Sequence, residues 1–243
     1  VAIVNKRLMQ RSMLVNFKKN VYKEVVRVAD RYIEAVKDLG ITNDGKGLEL
    51  HIPDETLFRV SGKIASLKLS QFERVIGLCP GARHFTKRWP PERFARVGAA
   101  FAQKADSKIL VFGGPKDETI CSQICLDINN QAGSERASSL CGLLGLLETA
   151  AAMEYCDVVI TNDTGLMHIA TAMHRKIVAI FGSTVKEFGF FPHDPEAAVL
   201  EQAGLDCRPC SHIGRSECPE KHFKCMLDVQ PEEAYLRAKA LLG

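Results

Sequence analysis

The residues with the clearest potential for chemistry are Asp163, Thr164, Gly165 and His168, which lie between two apolar segments. Asp and Thr are frequent helix N-cap residues, and Leu166–Met173 has the spacing of an apolar helix face. The free N–H groups and the dipole at a helix N-terminus attract anions. Such a helix start, together with the carboxylate, hydroxyl and imidazole of these residues, favours a phosphorylated ligand that is rich in hydroxyl groups. The alternatives are simple capping by the Asp and Thr, and a purely structural histidine.

Two short apolar segments, Asp157–Ile160 and Ile177–Phe181, flank this polar cluster and predict buried strands. A strand, a polar turn, a helix and a second strand in this order form one unit of a parallel sheet. In such a unit the helix begins at the carboxyl end of the preceding strand, where ligands of open α/β sheets bind.

From Arg74 onward, predicted strands and helices alternate along the whole chain. Further strands are predicted at Val75–Leu78, Lys108–Phe112 and Ser138–Cys141, and further helices near Pro91–Lys104, Asp117–Asn129, Leu146–Tyr155 and Pro231–Leu242. This alternation predicts an α/β fold with a doubly wound parallel sheet that is covered by helices on both faces.

The N-terminal part has a different pattern. Val1–Asn20 alternates basic and apolar residues; Val1–Asn5 is a candidate strand, and the remainder a loop or a membrane-surface contact. Val21–Leu39 has apolar residues at helical spacing before a glycine and predicts one amphipathic helix. Ile41–Phe72 predicts a short strand, Leu48–Ile52, and then a polar helical segment that connects to the sheet.

Composition excludes several classes of protein. A hydrophobic content of 46% is normal for a globular chain and argues against disorder. The apolar runs are much shorter than the ~20 residues of a membrane span. A net charge of +3 is too small to indicate nucleic-acid binding. Because the chain begins with Val1, we expect a start that is incomplete or trimmed, and we do not expect its first residues to be a secretory signal.

Four segments, in this order along the chain, resemble glycosyltransferase family 9, the ADP-heptose:lipopolysaccharide heptosyltransferases. They are LCPGARHFTKRWPPERFA (Leu78–Ala95), ILVFGGPKDE (Ile109–Glu118), TNDTGLMHIATA (Thr161–Ala172) followed by VAIFGST, and CRPCSHIGRSECPEKHFKCM (Cys207–Met226). The similarity covers Arg74 to the C-terminus well and the preceding residues only loosely.

The resemblance implies the GT-B architecture, in which two Rossmann-like domains enclose a ligand cleft. Residues 73–243 then correspond to the nucleotide-sugar (donor) domain, with a cysteine-bearing tail and a C-terminal helix. Residues 1–72 correspond to the end of the acceptor domain and the interdomain connection. Members of the family normally begin with a further Rossmann half that carries an acidic catalytic base, and nothing before Val21 resembles it. We therefore expect these 243 residues by themselves to transfer sugar very slowly or not at all.

The resemblance also implies roles for the polar cluster. Asp163 would accept hydrogen bonds from sugar hydroxyls, and the amides of Thr164 and Gly165 would hold the diphosphate. His168, one helical turn further on, would donate or accept a hydrogen bond with phosphate or sugar.

Lys87 and Arg88 follow the predicted strand Val75–Leu78, again at a carboxyl end. A leaving diphosphate needs a cation when no metal is bound, and we assign that role to Lys87 and, less directly, to Arg88. The alternative is a solvated basic pair. Gly81, in the same loop, would let the backbone approach the ligand.

Three weaker candidates lie in the next loops. Gly113 and Gly114 follow a strand, but they do not form a dinucleotide fingerprint, and NAD binding is disfavoured. Glu118 is a candidate binding residue or only a favourable first-turn charge. Leu144 matches the family region that lies against the nucleobase, although apolar loop residues often serve only packing.

The nine cysteines are interpreted in two groups. Cys79, Cys121, Cys125, Cys141 and Cys156 are scattered through predicted strands and helices and are expected to be reduced and buried, as in a cytoplasmic protein. Cys207, Cys210, Cys218 and Cys225 have the spacing C-x2-C-x7-C-x6-C, an incomplete zinc signature. Reduced structural thiols are favoured here over a structural metal or disulfides, and no metal is expected in catalysis.

The function that these features favour is inverting transfer of heptose from ADP-heptose to the lipopolysaccharide inner core, without a cofactor. Its partners would be the ADP-sugar, the lipopolysaccharide acceptor and, by peripheral contact, the cytoplasmic face of the inner membrane. Two alternatives stay open. One is another GT-B enzyme for a different nucleotide sugar, either a transferase or a hydrolysing epimerase. The other is a non-catalytic fragment that binds nucleotide sugars.

Overall fold

The computed structural model of the protein describes residues 3–243. In this part of the chain six strands form one sheet, with the order β3-β2-β1-β4-β5-β6 and every neighbouring pair parallel. The strands are β1 (Arg74–Cys79), β2 (Ser107–Val111), β3 (Ala137–Ser139), β4 (Val158–Asn162), β5 (Lys176–Phe181) and β6 (Ala198–Glu201). The chain winds outward from β1 in one direction and from β4 in the other, which is the strand order of a Rossmann-like sheet.

The described residues contain nine α-helices, several of which begin or end at the residues that the sequence indicates. Pro91 begins its helix, where its missing N–H costs nothing, and Gly133 ends another in the left-handed conformation with φ 66°. The helices are α1 (Leu8–Phe17), α2 (Val28–Glu34), α3 (Asp54–Ile64), α4 (Pro91–Lys104), α5 (Glu118–Ala132), α6 (Leu146–Met153), α7 (Gly165–Ala172), α8 (Lys224–Leu227) and α9 (Pro231–Leu242).

The core consists of two apolar layers, one on each face of the sheet, because successive strand residues point to opposite faces. Ile76 and Leu78 of β1 pack towards α4, α5 and α9. Val75 and Cys79 of the same strand pack on the other face, towards α3, α6 and α7. Helix α3 therefore shares its core with the sheet. The domain boundary between residues 72 and 73 stays a prediction.

The predicted α/β fold is confirmed. Each predicted strand from Val75 onward is present within one or two residues of its expected bounds. The helices predicted between residues 91 and 242 are also present, and only α5 differs by more, because it ends three residues later than expected. Strand β6 escaped prediction because it is a four-residue edge strand with only Leu200 fully buried. So short a run has no strong period of its own.

The prediction of one helix over Val21–Leu39 is wrong. Only Val28–Glu34 is α-helical, followed by a 3₁₀ turn. The preceding residues follow the loop around Gly189, whose carbonyl accepts a hydrogen bond from the Val28 amide at 3.0 Å. Tertiary contacts thus override a helical apolar pattern.

One further N-terminal prediction is wrong, and another lies partly outside the described residues. Leu48–Ile52 is not a strand; its backbone pairs with no strand among the described residues, although Ile52 is buried and Leu50 packs against the core. In the candidate strand Val1–Asn5, Val1 and Ala2 lie outside the described residues, and residues 3–5 form no regular element. The rest of Val1–Asn20 was expected to be a loop or a membrane-surface contact; it contains helix α1, so the loop is wrong and the membrane contact stays a prediction.

Within residues 3–243, no helix combines the length and apolar character needed to cross a membrane.

Candidate functional site

The predicted site residues gather where β1 and β4 lie side by side. The chain leaves the carboxyl end of β1 towards α4, on one face of the sheet, and leaves β4 towards α7, on the other face. A crevice opens between two connections that diverge in this way, and open α/β sheets bind their ligands there. Lys87 lies in the first connection and Asp163 in the second.

A buried amide ties these two connections together. The side chain of Asn162, the last residue of β4, donates a hydrogen bond to the Pro80 carbonyl at 2.7 Å. Its oxygen accepts one from the backbone amide of Trp89 at 3.0 Å. Asn162 and Trp89 are both fully buried, and the indole N–H donates to the Val229 carbonyl at 3.1 Å. The loop that carries Lys87 is thereby held at both ends.

Lys87, Asp163 and Thr184 form what we call the buried network. The Lys87 ammonium lies 2.6 Å from Oδ2 of Asp163, and the Thr184 hydroxyl donates to the same oxygen at 2.7 Å. The side chains are 13% exposed for Lys87 and 4% for Asp163, so the ion pair is largely shielded from water. The three residues follow three different strands, β1, β4 and β5. Because these strands are parallel, the three residues meet at the carboxyl edge of the sheet.

Helix α7 begins at Gly165, and its N-cap is Thr164 rather than Asp163. The carboxylate of Asp163 is therefore engaged by Lys87 and Thr184 and does not cap the helix. The Thr164 side chain makes no capping bond, and its buried hydroxyl has no hydrogen-bond partner among residues 3–243. The start of α7 thus presents a hydroxyl and unpaired backbone amides to a ligand.

An open cleft of about 870 Å³ lies against this helix start. Five of the predicted site residues line it: Gly81, Arg88, Leu144, Thr164 and Gly165. Apolar side chains, among them Leu166 and Ile169, form part of its wall, and Arg83 and Lys116 add positive charge. A partly apolar cleft beside an anion-attracting helix start suits a nucleotide, with its base along the apolar wall and its phosphates at the helix.

Gly81 is required by a neighbour that sequence reasoning did not identify. A Cβ atom at Gly81 would lie 2.4 Å from Oδ2 of Asp117, so a side chain there would displace this carboxylate. Asp117 also accepts a hydrogen bond from the Gly114 amide at 3.1 Å and lines the cleft. The glycine thus allows the close approach of two loops. No sequence signal distinguishes Asp117 from an ordinary first-turn carboxylate.

His168 lies on the other side of α7, at the edge of a second pocket of about 330 Å³. Burial lowers the pKa of His168, with smaller effects from Asp163, which raises it, and from Lys87 and His193, which lower it. The imidazole is therefore neutral at pH 7 and can donate or accept a hydrogen bond. His168 therefore lies near the charges of Lys87 and Asp163 and also lines the second pocket.

Two predicted residues have local partners. The Arg88 side chain donates from Nε to the Ala82 carbonyl at 2.6 Å, which fixes the guanidinium within its own loop at the cleft. Glu118 does not line the cleft; it is exposed beside Gly142, with Oε1 2.3 Å from the place of a Cβ atom there. A ligand role for Glu118 stays a prediction.

The four cysteines of the tail lie close together around a small cavity of about 10 Å³, together with His222. All four are free thiols, and burial raises the pKa of Cys225 to about 12. Among residues 3–243, no group of His, Cys, Asp and Glu side chains is arranged to hold a metal ion. Segment Cys207–Met226, which we call the cysteine-bearing tail, packs against the loops of the site.

A Rossmann-like sheet with an anion-attracting helix start at its switch point defines an α/β protein of the nucleotide-binding class. The chain belongs to glycosyltransferase family 9, the heptosyltransferases, whose sequence model matches residues 10–222.

Individual relatives agree with this assignment. Lipooligosaccharide heptosyltransferase 2 of Campylobacter jejuni is 34% identical over 229 residues, which are 93% of this chain and 67% of the relative. Lipopolysaccharide heptosyltransferase 2 of Escherichia coli is 27% identical, over 88% of this chain and 61% of the relative. The chain spans roughly two thirds of the length of these relatives.

Solved structures show the same fold. A family 9 glycosyltransferase from Veillonella parvula superimposes with a TM-score of 0.75 at 27% identity, over 92% of this chain and 62% of the other. ADP-heptose lipopolysaccharide heptosyltransferase II of E. coli has a TM-score of 0.70 at 24% identity, over 91% of this chain and 64% of the other. The GT-B expectation is thus confirmed for the part of the fold that the chain contains.

Proposed function

We propose that this chain binds the donor in an inverting glycosyltransferase that transfers heptose from ADP-heptose to the inner core of lipopolysaccharide. The observation that carries the proposal is the Lys87–Asp163 pair beside the start of α7. Both residues belong to segments that resemble the family, and the names of the relatives supply the heptose, its nucleotide and the acceptor.

The donor is proposed to lie along the cleft. Its diphosphate meets the amides of Thr164 and Gly165 and the unpartnered Thr164 hydroxyl. Its adenine lies along the wall that contains Leu144. Lys87 faces the leaving phosphate. Neutral His168, beside the second pocket on the other side of α7, hydrogen-bonds to phosphate or sugar that extends past the helix start.

The reaction then follows from positioning and charge. The acceptor hydroxyl attacks the anomeric carbon from the face opposite the nucleotide, the glycosidic C–O bond breaks, and ADP leaves with the electron pair. Lys87 stabilises the developing negative charge in a partly water-excluded place, where charge interactions are strong. The base that deprotonates the acceptor is not assigned to a residue of this chain. No cofactor is proposed.

The acceptor brings a membrane into the proposal, because lipopolysaccharide carries its core sugars on lipid. We propose peripheral contact at the cytoplasmic face of the inner membrane. The region around helix α1 fits such a surface: Leu8, Met9 and Phe17 are exposed, next to Lys6 and Lys19. Basic and apolar groups on one short segment favour anionic membrane surfaces.

Nucleotide binding by calorimetry tests the donor proposal. ADP should bind more tightly than UDP or GDP, and Lys87→Met should weaken ADP by about tenfold or more, the loss expected for one charge-assisted bond. Addition of a chelator should leave ADP binding unchanged. Preference for UDP or GDP would move the chain to a different nucleotide sugar. An unaffected Lys87 variant would refute the proposed diphosphate site.

A further inference from the structure

The loop that follows β5 is a third component of the site, and no motif assigned a role to it. Its Thr184 is fully buried, and its hydroxyl donates to the Asp163 oxygen that pairs with Lys87. A carboxylate that accepts two donors on one oxygen cannot rotate freely. The direction in which Asp163 holds the Lys87 ammonium therefore depends on where Thr184 lies.

Thr184 is in turn held by Arg208 of the cysteine-bearing tail. The Arg208 guanidinium donates from Nη2 to the Thr184 carbonyl at 2.7 Å and from Nε to the Gly182 carbonyl at 2.6 Å. Glu201, at the end of β6, pairs with the same guanidinium, whose side chain is only 7% exposed. One arginine thus fixes both ends of the three-residue turn after β5.

The tail also holds the loop that carries Lys87. The amide of Arg215 donates to the Thr86 hydroxyl at 2.8 Å, and the Thr86 amide donates to the Arg215 carbonyl at 3.2 Å. The Ser183 amide donates to the Thr86 carbonyl at 3.3 Å. The residues immediately before Lys87 and before Thr184 are therefore bonded to each other, and Thr86 is also bonded to the tail.

We propose that Thr184 and Arg208 are positioning residues: through Asp163 they orient the Lys87 ammonium towards the β-phosphate of a nucleoside diphosphate. This inference rests on the proposed function. It gives the cysteine-bearing tail a part in donor binding, although none of its side chains needs to touch the donor.

The test compares ADP with AMP, which lacks the β-phosphate, by calorimetry on the full chain. Thr184→Val keeps the shape of the side chain and removes the donor. It should weaken ADP by about tenfold, as expected for a hydrogen bond to a charged group, and leave AMP within about twofold. Thr184→Ser should restore ADP binding. Arg208→Lys, which cannot reach both carbonyls with a planar fork, should weaken ADP selectively as well.

Matched controls separate positioning from general destabilisation. Thr56→Val removes another buried threonine hydroxyl, on α3. Arg175→Lys alters an arginine that also binds backbone carbonyls, those of Met173 and Glu154, but at the amino end of β5. Neither control should change the ratio of ADP to AMP affinity.

A double-mutant cycle identifies the route. If Thr184 acts through Lys87, adding Thr184→Val to Lys87→Met should cost less than about twofold in ADP affinity. A full additional loss would show that Thr184 acts independently and would overturn the inference. So would equal weakening of ADP and AMP by Thr184→Val, which is the mark of a merely structural role.

The outcomes also distinguish this inference from the proposed function. Loss of ADP binding in Lys87→Met with normal binding in both Thr184→Val and Arg208→Lys refutes the positioning role alone. Normal ADP binding in Lys87→Met refutes the proposed diphosphate site and the inference with it. If Thr184→Val does not fold, Arg208→Lys decides: a selective loss of ADP supports the inference, and unchanged binding overturns it.

Discussion

The start of helix α7 has an open side and a closed side. On the open side, the cleft offers backbone amides, the Thr164 hydroxyl and apolar walls, with space next to Gly165. On the closed side lies the buried network. Its two charges, on Lys87 and Asp163, pair with each other, and the Thr184 hydroxyl donates to Asp163.

The two sides therefore respond differently to change. Groups on the open side have no partner among the described residues, so their removal should change the free energy of unfolding little. Groups on the closed side are bonded to one another. Removing one of them leaves a buried charge or a buried hydrogen-bonding group without its partner. Within the closed side, Lys87 is proposed to contact the donor, whereas Asp163 and Thr184 hold Lys87 in place.

The largest expected effect is that of Asp163→Ala on the closed side. It leaves the Lys87 ammonium without its partner, so the free energy of unfolding should fall by about 3 kcal/mol, the range for a broken buried pair. Urea unfolding measures this. Glu55→Ala, which breaks an exposed pair with Arg59, is the control and should cost less than about 1 kcal/mol. Similar losses in both variants would contradict the contrast.

Gly182→Ala tests the closed side with a single methyl group. The added Cβ would lie 2.8 Å from the Thr86 carbonyl oxygen and 2.7 Å from Cε of Met226. A backbone oxygen cannot move aside as a side chain can, so we expect a loss of about 1–3 kcal/mol, as for an overpacked core. Thermal unfolding gives the answer; unchanged stability would mean that the two loops separate easily.

The same substitution at Gly165 tests the open side. A Cβ there meets nothing within 4 Å, and alanine is the better helix former. The free energy of unfolding should stay the same or rise by up to about 1 kcal/mol, while ADP affinity falls because the methyl group projects into the cleft. A variant that binds ADP normally would place the diphosphate elsewhere.

The smallest effect concerns pH and His168. Burial lowers its pKa in the folded state, below the unfolded value of about 6.5. Between those two values the unfolded chain binds more protons, so stability falls as the pH drops below about 6.5. His168→Gln should remove part of this loss. Urea unfolding of both proteins between pH 5 and 7.5 measures it, and identical pH slopes would contradict a buried neutral His168.

The carboxyl-edge position of Lys87 and Asp163 could be predicted, because each follows a recognisable strand. Their direct pairing could not, because it depends on β1 and β4 being neighbours, which strand patterns do not specify. Thr184 escaped for a related reason: its partner lies 21 residues earlier in the chain. The helix predicted over Val21–Leu39 failed in its first part, where the chain follows the loop around Gly189, more than 150 positions away, and the Val28 amide bonds to the Gly189 carbonyl.

Local pattern therefore identified the elements and the residues with chemistry, while their partners came only from the folded chain. Gly81 illustrates the difference. Gly81 was predicted to let the backbone approach a ligand, which stays a prediction; the group that lies against it in the folded chain is the Asp117 carboxylate. Periodicity carries no information about such contacts.

Trp89 gives this edge of the sheet an optical signal. It is the single tryptophan of the chain, fully buried, with its backbone amide on Asn162 and its indole edge-on to Phe94 at 5.1 Å between ring centroids. All tryptophan fluorescence of the protein therefore arises two residues from Lys87. A red shift in the emission of a nucleotide-free variant would therefore show that water reaches this indole.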